Sequence, residues 1–144
     1  MTIRIEQSIW IDRPVPVVFD FISDASNFSK YIPGLIEAER IGLDVASKGD
    51  HIRSKMSVLG TKLEVLAEWT RYEPNVAIGS RNVEGMPVDM LTTFHEENGG
   101  TRIERVLNME PKGLFGTITA PLVRRTADRN AVTEFETLKE LLEN

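Results

Sequence analysis

A chain of 144 residues with 41% hydrophobic residues can bury a real core, and we expect residues 1–144 to form a single domain. Its net charge of −5 argues against binding to nucleic acid or to anionic membranes, and the absence of cysteine excludes disulfides and thiolate chemistry. The sequence shows no signal peptide and no apolar run that could span a bilayer, so we expect a cytoplasmic protein without stable membrane insertion. The oligomeric state is left open.

The N-terminal region predicts a strand followed by two short helices. The isoleucines between residues 3 and 11 all occupy odd positions, which lie on one face of a strand. Pro14 and Pro16 suit the start of a helix, and the apolar segment after them predicts a short buried one. A second short helix is expected to begin near Ser26 and to stop at Pro33-Gly34.

Residues 35 to 110 have the pattern of strands joined by short turns. The segment around Asn98-Gly99 gives the strongest hairpin signal. The predicted strands are Leu35–Gly42, His51–Val58, Lys62–Tyr72, Val76–Val83, Val88–His95 and Thr101–Glu110. Hairpins that follow one another in this way predict an antiparallel meander.

The chain closes with one long amphipathic helix. Over Gly113–Asn144 apolar residues recur every three or four positions, and a helix of this length would measure about 45 Å. Pro121 should kink this helix or mark its start. The apolar face is small at Ala127 and Ala131 and large at Phe135. Because the alanines fill little space, we expect a cavity between this helix and the sheet.

Short motifs along the chain also resemble one known family. They are Ile11-Asp12-Arg13-Pro14, Val18-Phe19, Ser23-Asp24, Tyr31-Ile32-Pro33-Gly34, the Gly49 and Gly60 turns, Tyr72-Glu73-Pro74, Gly99-Gly100-Thr101-Arg102 and Leu138-Lys139-Glu140-Leu141-Leu142. In this order and spacing the sequence resembles the polyketide cyclase/dehydrase-like branch of the START-related (SRPBCC) superfamily. The resemblance covers essentially the whole chain.

The resemblance implies an α+β helix-grip fold. In this fold a curved antiparallel seven-stranded sheet wraps around a long C-terminal helix, and two short helices follow the first strand. The fold implies an apolar cavity between sheet and helix. It does not imply one activity, since similar proteins include aromatase/cyclases, lipid carriers, quinone-binding proteins and hormone receptors.

Alternation along the strands predicts which residues face this cavity. The inward set is mainly apolar with a few polar groups, which is typical of a small-molecule site. The predicted ligand-binding residues are Met56, Trp69, Ser80, Met90, Thr92, Arg105, Leu107, Ala127, Ala131 and Phe135. Val76 is also predicted to face inward, although a bulge in any strand would reverse the assignments beyond it.

Arg105 interrupts the apolar face of its strand, where it lies between Ile103 and Leu107. A buried guanidinium needs a partner. Arg105 could anchor a ligand carboxylate, enolate or phenolate through a bidentate contact. It could instead pair inside the protein, for example with Asp128, or reach water at a strand end. The sequence leaves these three alternatives open.

The sequence favours binding over catalysis. It offers no obvious acid–base pair inside the predicted cavity, so no catalytic residue is assigned. His51 and His95 fall on the outer face, and neither a metal nor another cofactor is expected. The predicted function is the binding of a hydrophobic small molecule, which would be a lipid, a polyketide or an aromatic metabolite. The alternative is a polyketide cyclase/aromatase or dehydratase that uses the same cavity, and a protein-interaction domain with a filled core is a third reading.

Overall fold

The computed structural model describes residues 2–58, 60–111 and 120–144. Within these ranges the strands are β1 (Ile3–Ile11), β2 (Leu35–Ile41), β3 (His51–Val58), β4 (Thr61–Glu73), β5 (Ala77–Glu84), β6 (Val88–Glu97) and β7 (Gly100–Met109). The α-helices are α1 (Val15–Ser23), α2 (Phe28–Tyr31) and α3 (Ala120–Glu143), and a 3₁₀ turn at Ala25–Asn27 precedes α2. None of these helices combines the length and the apolar character that crossing a membrane requires.

The strands form one seven-stranded sheet in the order β1-β7-β6-β5-β4-β3-β2. All neighbouring strands are antiparallel, and from β2 to β7 each strand pairs with the next along the chain. The predicted meander is therefore confirmed. β1 pairs with β7 on the side away from β6, so β1 and β2 form the two edges of the sheet.

Irregularities around β4 change which residues face inward. The register between β4 and β5 shifts twice, and the second shift lies between Trp69 and Arg71. A bulge displaces the alternation by one residue. Arg71 is consequently exposed, whereas Tyr72 packs against the core and stacks on Trp69 with 4.7 Å between ring centroids.

The prediction that Val76 faces inward is wrong. Val76 is 50% exposed and lies in the turn before β5. Its backbone N–H closes this turn by donating to the carbonyl of Glu73 at 2.9 Å. The strand begins at Ala77, which is fully buried.

Helix α3 packs its predicted apolar face against the inside of the sheet and lies along β1. Phe135 and Leu138 are 3% and 0% exposed, which confirms the prediction for the second half of the helix. Pro121 is the second residue of the described helix. The part of the predicted helix before Ala120 lies outside the described residues.

The buried apolar side chains form two separate clusters. The filled cluster lies under α1 and the C-terminal half of α3 and includes Phe19, Trp69, Phe94, Phe135 and Leu138. The open cluster consists of Ile3, Ile5 and Val123 with the half-buried residues Val58, Leu63, Met86, Leu107, Met109, Ala127 and Ala131. Buried members outnumber half-buried ones in the filled cluster, and the reverse holds in the open cluster. One end of the interior is therefore packed solid, and the other is only partly covered.

The loop after β1 holds the C-terminal end of α3. Arg13 donates from Nη1 to the carbonyl of Leu142 at 3.0 Å, and the backbone N–H of Asp12 donates to the carboxylate of Glu143 at 2.9 Å. Thr101 in turn donates its hydroxyl to the carbonyl of Arg13 at 2.8 Å. A helix end leaves carbonyl groups without partners, and Arg13 satisfies one of them.

Gly100 lies where β7 passes close to β1, and replacing it with alanine should destabilise the sheet edge. A Cβ atom there would lie 2.4 Å from the carbonyl oxygen of Ile11 and 2.8 Å from the ring of Trp10. The nearest of these atoms belongs to the backbone and cannot move aside as a side chain could. We therefore expect a loss of about 1–3 kcal/mol in the free energy of unfolding, measured with urea. Glu96→Ala, at an exposed position on β6, is the control. Equal stability of the two variants would contradict this account.

Candidate functional site

The predicted ligand-binding residues come from the sheet and from α3, which supplies Ala127, Ala131 and Phe135. Ser80 is the cross-strand partner of Met90, and Met90 is the partner of Leu107. The predicted residues divide by burial into a buried set, Trp69, Thr92, Arg105 and Phe135, and a half-buried set, Met56, Ser80, Met90, Leu107, Ala127 and Ala131. The aromatic members belong to the filled cluster. The predicted set therefore extends from a solid core to a partly open region, and its role in ligand binding stays a prediction.

Arg105 lies at the boundary between the two clusters and is 6% exposed. Its Nε donates to Oγ1 of Thr92 at 3.0 Å, and its Nη1 donates to the carboxylate of Glu134, with which it forms an ion pair. The guanidinium carbon lies 5.1 Å from the centroid of the Phe135 ring, in the range of a cation–π contact. Arg105 is thus paired inside the protein.

This arrangement settles two of the sequence alternatives for Arg105. The reading in which Arg105 reaches water is wrong, because the side chain is buried. Asp128 is not its partner, since Asp128 is exposed and lies 3.6 Å from Arg124 on the same helix. The internal partner is Glu134, whose side chain is 13% exposed. Contact between Arg105 and a ligand stays a prediction.

Two further polar residues near Arg105 are not in the predicted set. Glu134 lies three positions after Ala131, which places both on the same side of α3. Gln7 occupies an odd position between Ile5 and Ile9, and its Nε2 donates to the carbonyl of Ala131 at 2.7 Å. The cross-strand register aligns Gln7 with Arg105 and Arg105 with Thr92. Gln7, Arg105 and Thr92 therefore form a polar row across the neighbouring strands β1, β7 and β6.

Tyr31 of α2 adds a buried phenol to this region. It is 4% exposed, and its hydroxyl donates to the carbonyl of Ile22 at 3.1 Å. Burial first, and then the carboxylate of Glu134, raise the pKa of Tyr31 above its usual value, while Arg105 lowers it by less. Tyr31 therefore remains protonated at neutral pH and is not a ready general base.

Two clefts open elsewhere on the described part of the chain. The larger has a volume of about 440 Å³ and is lined by residues of the 3₁₀ turn, of β2 and of the following loop, together with Tyr72. The other has a volume of about 290 Å³ and is lined by Arg81, Asp89 and Asn108 among others. Neither cleft includes any of the predicted ligand-binding residues. The internal cavity between α3 and the sheet stays a prediction.

The described side chains contain no cluster of three or more histidine, aspartate or glutamate residues that could bind a metal ion. His51 and His95 lie on the separate strands β3 and β6. His95 is 3.7 Å from the carboxylate of Glu104, at a site where both side chains are more than half exposed.

A protein-family model and several solved structures each match nearly the whole chain. A family model described as polyketide cyclase/dehydrase and lipid transport matches residues 2–143. The crystal structure of TTHA0849 from Thermus thermophilus has a TM-score of 0.79 at 20% identity, covering 97% of this chain and 95% of that one. A START superfamily protein from Mycobacterium smegmatis has a TM-score of 0.79 at 12% identity, covering 97% of each chain.

An enzyme is also among the similar structures. Zhui aromatase/cyclase from Streptomyces sp. R1128 has a TM-score of 0.76 at 16% identity, covering 99% of this chain and 94% of that one. Identities of this order show a shared fold and do not transfer an activity. No curated protein matches the sequence. The predicted helix-grip fold is confirmed by the sheet, the long last helix and these structural relatives.

Proposed function

This chain belongs to the polyketide cyclase/dehydrase and lipid transport family, and we propose that it binds a hydrophobic small molecule between α3 and the sheet. The ligand is a lipid, a polyketide or an aromatic metabolite. The observation that carries this proposal is the open cluster. Its apolar side chains pack against one another, yet most of them keep partial exposure.

The partial exposure of the open cluster favours a ligand site over a filled core. Protein interiors pack as densely as organic crystals, so opposing apolar residues in a finished core become fully buried. Here Ala127 and Ala131 of α3 belong to the same cluster as the half-buried Leu63 and Leu107 of the sheet. We infer that the short alanine side chains leave space for a ligand, as the sequence predicts. Several methionines, Met56, Met86, Met90 and Met109, are half-buried, and their flexible side chains suit an adaptable apolar site.

The remaining predicted residues take different positions around such a ligand. Met90, Leu107 and the two alanines would contact its apolar part. Thr92 and Arg105 would face its polar end, with Ser80 nearby on β5. Trp69 and Phe135 belong to the filled cluster and would form the closed end of the site.

Binding can be tested by filling the space next to the helix. A neutral solvatochromic dye should bind the wild-type protein, and Ala131→Phe should weaken its affinity by about tenfold or more because the ring takes the place of the ligand. Val132→Phe adds the same ring at the neighbouring position, which is 58% exposed, and should leave binding unchanged. Fluorescence titration gives both affinities. Equal affinities of the two variants would show that the dye uses another surface.

Catalysis by the same site is the second candidate function, and one group of polar residues favours it. The partly buried carboxylate of Glu134 pairs with the buried guanidinium of Arg105, and both act electrostatically on the buried phenol of Tyr31. The phenol is held protonated by its surroundings, which favours binding over proton abstraction. Incubation with a linear polyketone thioester, followed by mass spectrometry, distinguishes the two functions. A cyclised product with loss of water, beyond the protein-free control, would establish the enzyme.

A further inference from the structure

We propose that the Arg105–Glu134 pair makes this site selective for ligands with an uncharged polar end and excludes carboxylates. This inference rests on the proposed binding function and adds the class of ligand. The pair lies where the filled cluster meets the open cluster, since Ile103 belongs to the first and Leu107 to the second. A ligand that occupies the open cluster would therefore place its innermost group against this pair.

The positive charge of Arg105 is already balanced by Glu134, and this argues against an acidic ligand. Arg105 carries the one buried positive charge of the described inner face, and Glu134 already neutralises it. A ligand carboxylate would bring a second negative charge next to Glu134, in a region where both partners are largely shielded from water. Like charges that share a shielded site repel each other, and an unpaired charge there is costly. Glu134 is also held in place by α3, whereas a ligand loses translational freedom on binding.

The hydrogen-bonding groups of the pair suit an uncharged ligand. Within the described ranges Arg105 donates from Nε and Nη1, and no described residue accepts a hydrogen bond from its Nη2. The Thr92 hydroxyl accepts from Arg105 and can still donate its own hydrogen. A ketone, ester, amide or alcohol could accept from Nη2 and from Thr92 without displacing Glu134. In this proposal the pair supplies donors to a ligand but no free positive charge.

The test compares a fatty acid with its matching alcohol. Decanoate and 1-decanol are titrated as competitors of the bound dye at neutral pH. The wild-type protein should bind the alcohol about tenfold more tightly than the carboxylate, since one charged interaction separates them. Glu134→Gln keeps an acceptor for Arg105 but removes the negative charge, so decanoate should gain about tenfold while 1-decanol changes little.

A control separates a local effect from a change in net charge. Glu136→Gln removes one charge at an exposed position on the same helix and should leave both affinities unchanged. Melting curves check that each variant is folded, and the comparison in the wild-type protein does not depend on any variant. Equal wild-type affinities for acid and alcohol would overturn the selectivity while leaving the binding function intact. Failure of dye and alcohol to bind the wild-type protein would overturn the binding function itself.

Discussion

Replacing Phe135 with alanine is expected to lower the free energy of unfolding by about 3–5 kcal/mol. The side chain is 3% exposed and lies in the filled cluster, where α3 meets the sheet. Removing the ring loses its transfer free energy and leaves a void that the surrounding aromatic residues cannot fill completely. The variant also removes the aromatic face that lies 5.1 Å from the guanidinium of Arg105.

Urea unfolding monitored by tryptophan fluorescence measures this loss, since Trp69 belongs to the same cluster. Val132→Ala serves as the control because Val132 lies on the same helix and is 58% exposed. Its effect should stay within about 0.5 kcal/mol. A loss below about 1 kcal/mol for Phe135→Ala would mean that this face of α3 is not essential to the core.

The elements of the fold could be predicted because local sequence signals and tertiary structure agree. The turn between β6 and β7 contains Asn98 and Gly99, whose φ angles are 50° and 78°. These are the residue types that tolerate a left-handed backbone, so a hairpin is the expected result. In the same way the spacing of Phe135, Leu138 and Leu142 marks the buried face of α3.

The partner of Arg105 could not be predicted from the same signals. Asp128 and Glu134 are separated by six helical positions, which correspond to a rotation of about 240° around the axis. The two acids therefore face different sides of α3, and only the crossing of helix and sheet decides which one meets β7. The sequence alone shows an acidic residue at the border of an apolar face, and such a residue is usually solvated.

How deeply each inward-facing residue is buried could also not be predicted from the sequence. Alternation assigns Trp69 and Met90 to the same side of the sheet, and this is where the structure places them. Alternation alone does not predict that Trp69 is buried in the filled cluster while Met90 is only half-buried. That difference depends on which elements cover each part of the sheet, and alternation along a strand carries no information about this. The register shifts in β4, where a bulge displaces the alternation, also leave no clear mark in the sequence.

Replacing Arg105 with methionine is expected to destabilise the protein by about 3 kcal/mol, at the lower end of the range for a broken buried ion pair. Methionine fills a similar space and suits the apolar neighbours Ile103 and Leu107. It leaves the carboxylate of Glu134 without its partner, and it removes the hydrogen bond to Thr92. The side chain of Glu134 is 13% exposed, so some contact with water moderates the loss.

A second change in the same pair separates the lost charge from the lost packing. Arg105→Met combined with Glu134→Leu removes both charges, and an apolar pair of this kind is often as stable as the ion pair it replaces. We therefore expect the double variant to recover most of the stability lost in Arg105→Met. Urea unfolding of the wild-type protein, both single variants and the double variant gives the coupling energy of the pair. Additive losses, with no recovery in the double variant, would show that Arg105 acts through packing and not through its contact with Glu134.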